Sequence, residues 1–322
     1  MTVDFGETVD IACAVLDGAR FLPDLVKSLQ SQTHTSWRLW VRDDGSTDGS
    51  SAVIRSAAAR DSRIHLLHTG GPPAGAARAF GWLLERLPAD SSYVMFADQD
   101  DVWLPPKIEH TLAAMRAAEA DAPPGTPVLV HTDLIVVDEA LGIVDPSFWD
   151  FAGISPDPVA LRRFVVQPIT TGATAMLNRA LRTLVGSVPA EAILHDWWCA
   201  LVAAAFGRVV AVNEATVLYR QHGGNAVGAR DPRIAINELP TAIVRAFAKT
   251  AEVRRGIAQT ATQARAFLER YGDRLTIEDR GFLDAYSRIP EQRFLRRKMD
   301  LLRYRALPEH GTLRRLGIVL RG

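Results

Sequence analysis

Cysteine is scarce in this chain: Cys13 and Cys199 are the two thiols in 322 residues. Two cannot build a disulfide framework or a zinc cluster, and both lie in apolar runs, where a thiol behaves as a small buried hydrophobe. An excess of charge of either sign is missing too, because Lys plus Arg and Asp plus Glu both number 37. No net field then recruits nucleic acid or an anionic membrane to the molecule as a whole. A long apolar run is also absent. The longest, from Trp197 to Phe206, falls far short of the roughly 18 to 20 residues that a membrane helix needs. The opening M-T-V-D-F-G-E-T-V-D is acidic and lacks the basic and apolar segments of a secretion signal, so the expected location is the cytoplasm.

What is present, 48% hydrophobic and 23% charged residues, is the composition of a globular protein with about two domains' worth of core. From Val9 to about Ala140, β-like runs alternate with helical stretches. V-D-I-A-C-A-V-L, W-R-L-W-V-R, R-I-H-L-L-H and S-Y-V-M-F-A read as strands. Phe21 to Gln30, Ala74 to Leu87 and Pro106 to Ala120 read as helices, and Ser46 to Asp48 offer caps for one more. Alternation of this kind predicts an α/β, Rossmann-like domain with a mostly parallel sheet flanked by helices, whose ligand site lies beyond the carboxyl ends of the strands. Asp43 and Asp44 follow one strand directly, and Asp98, Asp100 and Asp101 follow another.

Beyond P-V-L-V-H-T-D the pattern loosens into W-D-F-A-G, an apolar stretch from Arg163 to Leu177 and a helical L-H-D-W-W-C-A-L-V-A-A-A-F. Two short strands, G-R-V-V-A-V and A-T-V-L-Y, lead into the Gly-rich loop R-Q-H-G-G-N-A-V-G. From about Asp231 the chain carries helical signals alone, which divides it into a catalytic unit over 1–230 and a helical, basic C-terminal extension over 231–322. From Arg288 onward, ten basic residues face Glu291, Asp300 and Glu309, interleaved with Leu, Phe and Met. Such a segment suits an anionic membrane surface, and equally a solvated helix packed on the body or on a second copy as a homodimer.

Four motifs carry chemistry. In F-A-D-Q-D-D-V-W, Asp98 and Asp100 at a strand end can present oxygens to a hard cation and leave positions for phosphate oxygens. The same spacing also occurs in solvated capping turns. In D-D-G-S-T-D, a carboxylate can accept from a base N–H or a ribose hydroxyl, although taken alone the segment reads better as an ordinary capped loop. In L-H-D-W-W, Asp196 beside two indoles suits a partly desolvated general base with an aromatic platform for a sugar ring, while at least one of Trp197 and Trp198 belongs to the core. In Y-R-Q-H-G-G-N, His222 can complete a metal shell and Arg220 can pair with a diphosphate. His65 and His68 lie in a strand without acidic companions and read as structural.

Together, in this order and spacing, D-Q-D-D-V-W, H-D-W-W and Y-R-Q-H-G-G-N resemble glycosyltransferase family 2, the inverting GT-A enzymes, and more narrowly its bacterial rhamnosyltransferase-like members. The resemblance runs from about Val9 to Gly228. It implies a GT-A domain using a nucleotide diphosphate sugar and a divalent cation, Mg²⁺ or Mn²⁺. By the same resemblance Asp44 contacts the base, Asp43 supports its loop and Arg78 touches the nucleotide. Asp98 touches the ribose or the metal's water shell, Asp100 binds the metal and His222 is a further ligand. Asp196 matches the catalytic base, Thr171 and Gly172 line the sugar pocket, and Trp197 faces the acceptor. Two departures stand out: V-L-D-G at Val15 to Gly18 replaces T-Y-N-G, and Arg78, Ala79, Phe80 replace R-N-F, so aromatic and amide contacts to the donor are missing.

The resemblance implies transfer of a sugar, best L-rhamnose from its deoxythymidine diphosphate, to a saccharide acceptor hydroxyl. A lipid-linked acceptor at the inner face of the membrane, in O-antigen or other cell-surface polysaccharide assembly, fits the basic tail. A transferase using a uridine diphosphate sugar on a soluble acceptor is an alternative. So is a nucleotide-sugar-binding protein without catalysis, which would need no Asp196. A nucleotidyltransferase would carry a Gly-rich, basic loop after the first strand, and V-L-D-G-A-R-F is a poor version of one.

Overall fold

The computed structural model describes residues 7–68, 70–156, 160–223 and 242–292. Strand β1 (Val9–Val15) is buried along nearly its whole length, as befits an interior parallel strand covered on both faces. It pairs in parallel with β2 (Trp37–Asp43) on one side and β4 (Tyr93–Asp98) on the other, and β3 (Ile64–His68) continues the parallel run beyond β2. The crossovers are α1 (Leu22–Gln30), α2 (Ser50–Ala58) and α3 (Ala76–Arg86). Register sets the functional rim: Val15 lies opposite Asp43 and Ala14 opposite Asp98, so both acidic clusters leave the sheet at the same edge.

The sheet then becomes mixed. After β5 (Val102–Trp103) and α4 (Lys107–Ala120) come β6 (Val128–Val137), β7 (Ile143–Asp145), α5 (Phe148–Ala152), α6 (Leu161–Val166), β8 (Met176–Asn178), α7 (Arg179–Val185), α8 (His195–Phe206) and β9 (Arg208–Arg220). The order is β3-β2-β1-β4-β8-β6-β9-β5, with β7 on β6. β8 runs antiparallel to both β4 and β6, and β5 antiparallel to β9. The two short strands expected from Gly207 to Tyr219 are one strand. Asn213 and Glu214 interrupt its apolar pattern where the register against β6 shifts between Thr132 and Asp133.

Side chains alternate between two cores, one on each face of the sheet. Ile11, Cys13, Met95 and Ala97 meet α1, α2 and α4 on one side, while Ala12, Val94 and Phe96 meet α3, α6, α7 and α8 on the other. Helix α8 is apolar nearly all round and is accordingly sandwiched. Its outer cover is α9 (Ala242–Tyr271) with α10 (Ile277–Ser287): Trp198 packs on Phe267 with ring centroids 5.4 Å apart, and Phe282 and Tyr286 join the same cluster. Both cysteines are buried and free. The basic stretch from Arg293 to Arg321, the segment 231–241 and the Gly-rich residues 224–228 lie outside the described residues.

Candidate active site

A cavity of about 350 Å³ opens at the carboxyl ends of β1 and β4. Its walls come from the end of β1 (Ala14, Leu16), from Asp44 just after β2, and from the first turns of α3. The segment Asp98 to Asp100, the stretch Thr170 to Gly172 before β8, and the start of α8 (His195, Asp196) close it. Six of the residues singled out by sequence, Asp44, Asp98, Asp100, Thr171, Gly172 and Asp196, therefore meet around one space.

The corner beyond β2 is held by hydrogen bonds. Asp43 accepts from the backbone N–H groups of Gly45 (3.2 Å) and Ser46 (2.8 Å) and from the Ser51 hydroxyl. Burial pushes its carboxyl up, but those donors outweigh it and hold it below its ordinary value. Asp44 takes two bonds from Arg42 on Oδ1 (2.8 and 3.1 Å) and two backbone N–H groups on Oδ2, from Ala74 (2.7 Å) and Gly75 (3.1 Å). Between the two runs the backbone of Gly45 has φ +99°, and a Cβ there would stand 2.3 Å from the Gly71 carbonyl oxygen, so glycine is required. The departure V-L-D-G supplies cross-links of its own. Asp17, at φ +48°, accepts from the Thr47 N–H (2.7 Å) and donates its N–H to Ser46 Oγ (3.0 Å), and Ala19 N–H donates to Asp48 (2.8 Å).

The corner beyond β4 is different. Burial, with Asp100 and Asp196 nearby, pushes the Asp98 carboxyl up to about 7. Gln99 clasps the β1 end, accepting from Leu16 N–H (2.8 Å) and donating to its carbonyl (2.9 Å). Asp100 Oδ2 lies 2.8 Å from Nε2 of His222, whose ring rests against Phe21 at 4.7 Å. Asp101 is buried beneath them, accepting from Arg220 N–H (3.1 Å), and burial raises its carboxyl. Buried Lys107 below it is pushed down to about 7 by burial.

Among the described residues no three metal-ligating side chains gather into a ready-made cluster. Magnesium-type sites at phosphates need none, because one or two carboxylates plus substrate phosphates and waters complete the octahedron. The donor set here, Asp100 with His222 and Asp98 alongside, fits Mg²⁺ or Mn²⁺ on those terms, and the proton affinity of Asp98 marks a corner short of positive charge.

Asp196 is the second residue of α8. Burial pushes its carboxyl up to about 6, against the pull of backbone N–H groups of Trp197 and Gly172, the first at 2.7 Å. His195 precedes it, stacked on Phe80 at 4.0 Å and edge-on to Phe96 at 4.5 Å. Burial pushes its imidazole down to about 3, so the ring is neutral. Sequence reasoning passed over His195; its signal was a polar residue directly before the candidate base in an otherwise apolar helix.

Three residues are placed elsewhere. Arg220 is 4% exposed, and its guanidinium donates to the Asp100 carbonyl (2.9 Å), the Glu139 carbonyl (2.6 Å) and the Asp24 carboxylate (2.9 Å), over the Phe21 ring. It supports the Asp100 segment from behind instead of facing the cavity. Trp197 is buried in the α6–α8 core with its indole N–H on the Phe164 carbonyl, so both indoles are packing and the aromatic side chains at the cavity are Phe80, Phe148 and Tyr219. Arg78 stands exposed on the first turn of α3, outside the lining.

With this geometry in hand, residues 12–133 match the family model Glycosyl transferase family 2. The putative teichuronic acid biosynthesis glycosyltransferase TuaG of Bacillus subtilis is 37% identical over 30% of this chain and 36% of its own length. The Escherichia coli UDP-Glc:alpha-D-GlcNAc-diphosphoundecaprenol beta-1,3-glucosyltransferase WfgD is 34% identical over 28% of this chain and 34% of its own. The chain thus spans about a third of either relative. Among solved structures, S. aureus TarS in complex with UDP-GlcNAc superposes with a TM-score of 0.55 at 13% identity, covering 87% of this chain and 70% of that one. The mannosyltransferase PcManGT from Pyrobaculum calidifontis, in complex with GDP-Man and Mn²⁺, does so at 0.55 and 15%, covering 92% and 73%. The chain has a GT-A-like α/β fold, and over residues 12–133 it matches glycosyl transferase family 2.

Proposed function

We propose that the protein is an inverting, divalent-cation-dependent glycosyltransferase that moves L-rhamnose from deoxythymidine diphosphate L-rhamnose to a hydroxyl of a saccharide acceptor in cell-surface polysaccharide assembly. The observation that carries this reading is the buried Asp196 carboxyl, raised toward neutral pH in the same cavity as Asp98 and Asp100. Asp196 takes the proton from the acceptor hydroxyl as its oxygen attacks the anomeric carbon; the bond to the diphosphate breaks in the same in-line step, and the configuration inverts. A divalent cation, when held by Asp100 and His222 with Asp98 alongside, supplies charge neutralisation for the departing diphosphate. Asp44 with its loop borders the nucleotide side, Thr171 and Gly172 border the sugar, and Arg78 is the basic side chain offered to the nucleotide.

The name of WfgD, with its diphosphoundecaprenol-linked acceptor, supports a lipid-linked saccharide. No helix among the described residues is long and apolar enough to cross a membrane. The basic residues after about Arg288 are the proposed contact with the cytoplasmic leaflet, with homodimerisation as their other use. We keep 1–230 as the catalytic unit and 231–322 as the extension. Removing the residues after Arg288 is expected to lower binding to anionic vesicles and leave donor hydrolysis intact; equal binding by both chains would count against the tail. The names of WfgD and of the TarS complex favour a uridine diphosphate sugar as the second reading. A panel of nucleotide diphosphate sugars, with Mn²⁺ and with chelator, decides between them: cation-dependent hydrolysis of one donor is expected, and binding of none would contradict the proposal.

A further inference from the structure

Three polar atoms in the cavity wall have no hydrogen-bond partner among the described residues: Nδ1 and Nε2 of His195 and Oγ1 of Thr170. His195 is 5% exposed and Thr170 3%. Buried polar groups in native proteins are nearly always bonded, so three unpaired ones on one wall ask for a partner that the described residues do not supply. The surroundings fix the ring but leave its nitrogens alone. Phe80 covers one face and Phe96 meets it edge-on. Opposite stands Gly172, where a Cβ would fall 3.3 Å from Nε2 of His195 and 3.2 Å from Oδ2 of Asp196. The bare Cα of Gly172 thus lets the backbone pack closely against both the imidazole and the carboxylate, which brings the two side chains to one stretch of the cavity wall. A neutral ring has one donor and one acceptor nitrogen, and a threonine hydroxyl can act as either, which is the complement of an uncharged alcohol.

We propose that His195 and Thr170 form a hydroxyl-reading pair on the acceptor side, and that the acceptor class is a sugar carrying a second hydroxyl adjacent to the one that reacts. This rests on Asp196 as the base. The reacting hydroxyl gives its proton to Asp196, while its vicinal neighbour bonds the imidazole and the threonine, which fixes the angle of attack. A site built to bond a hydroxyl penalises an acceptor without one, because its buried groups are again left unpaired.

The test uses the full-length chain with its hydrolysable donor and Mn²⁺, with propane-1,2-diol and propan-1-ol as acceptor probes. His195→Phe and Thr170→Val keep the ring stacking and the shape and remove the polar atoms. The wild type is expected to transfer to the diol about tenfold or more in preference to the mono-alcohol. Both variants lose that ratio, while their Tm stays level or rises, since an apolar isostere removes an unpaired buried group. An equal ratio in wild type and variants, no diol preference in the wild type, or a fall in Tm for both variants would overturn the pair. Asp196→Asn separates the two levels. Transfer by that variant at the wild-type rate means the base reading itself has failed, whereas its inactivity beside unaltered ratios in the other two variants removes this inference alone.

Discussion

The two acidic corners of the cavity are made of the same residue type and behave in opposite ways. Beyond β2, Asp43 and Asp48 sit below the ordinary carboxyl value, and Asp44 has four N–H donors on its two oxygens. Beyond β4 and at the start of α8, Asp98, Asp101 and Asp196 are raised. Depth explains part of the contrast, because Asp48 is exposed and burial is the leading cause of the shift at Asp98, Asp101 and Asp196. Donors explain the rest, since those on Asp43 and Asp48 outweigh burial and those on Asp196 do not. The first corner is held by donors of its own fold; at the second, burial outweighs the donors that Asp101 and Asp196 receive.

The comparison can be broken by exchanging the consequences of substitution at the two corners. The largest effect is expected at Asp196→Asn, which should lower kcat by about 10³-fold, in the range of a lost general base, with donor affinity kept; rate and calorimetric binding measurements check it. Next, Asp100→Ala and His222→Ala should weaken Mn²⁺ binding about 10- to 100-fold, read by titration of the ion. At the finished corner, Asp43→Ala should leave Mn²⁺ affinity unchanged and cost about 1–3 kcal/mol of stability, because the N–H groups of Gly45 and Ser46 lose their acceptor. Chemical denaturation measures that cost. Loss of Mn²⁺ affinity in Asp43→Ala would erase the distinction between the corners.

The smallest expected effect is in stability against pH, and its sign differs by corner. Asp98 at about 7 and Asp196 at about 6 hold protons more tightly folded than unfolded, where aspartate titrates near about 3.9. Their contribution is full below that value and is lost as pH rises through about 6 to 7. Asp43 and Asp48, lowered in the fold, contribute above the unfolded value and lose it as pH falls through their own. Melting curves in chelator should therefore show Tm declining by a few degrees between about pH 4 and 7, with a shallower decline in Asp196→Asn and after addition of Mn²⁺.

Much of this was legible in the sequence. The strands from Val9 to Asp98 announce themselves as apolar runs closed by aspartates, which puts both corners on one rim. Features without a local period were not. Strand β5, of two residues, and β8, of three, exist only by pairing with β9, β4 and β6. The run R-F-V-V is apolar enough for a strand yet ends α6, because Leu161, Phe164 and Val165 meet the α8 core. Composition marks Arg220 as a phosphate partner, but no sequence pattern reveals that three protein acceptors already hold its guanidinium. Trp197 and Trp198 look like a platform on paper and are core because α8 is covered on both sides. His195 was hidden by the opposite difficulty: its significance lies in bonds it does not make.

The central claim is that Asp196 is a general base poised by burial, and the pH dependence of acceptor-dependent turnover tests it most directly. Turnover in saturating Mn²⁺ and donor should fall about tenfold per pH unit below about 6, while donor affinity stays level over the same range. Turnover that is flat from about pH 5 to 8, or an unchanged profile in Asp196→Asn, would contradict it.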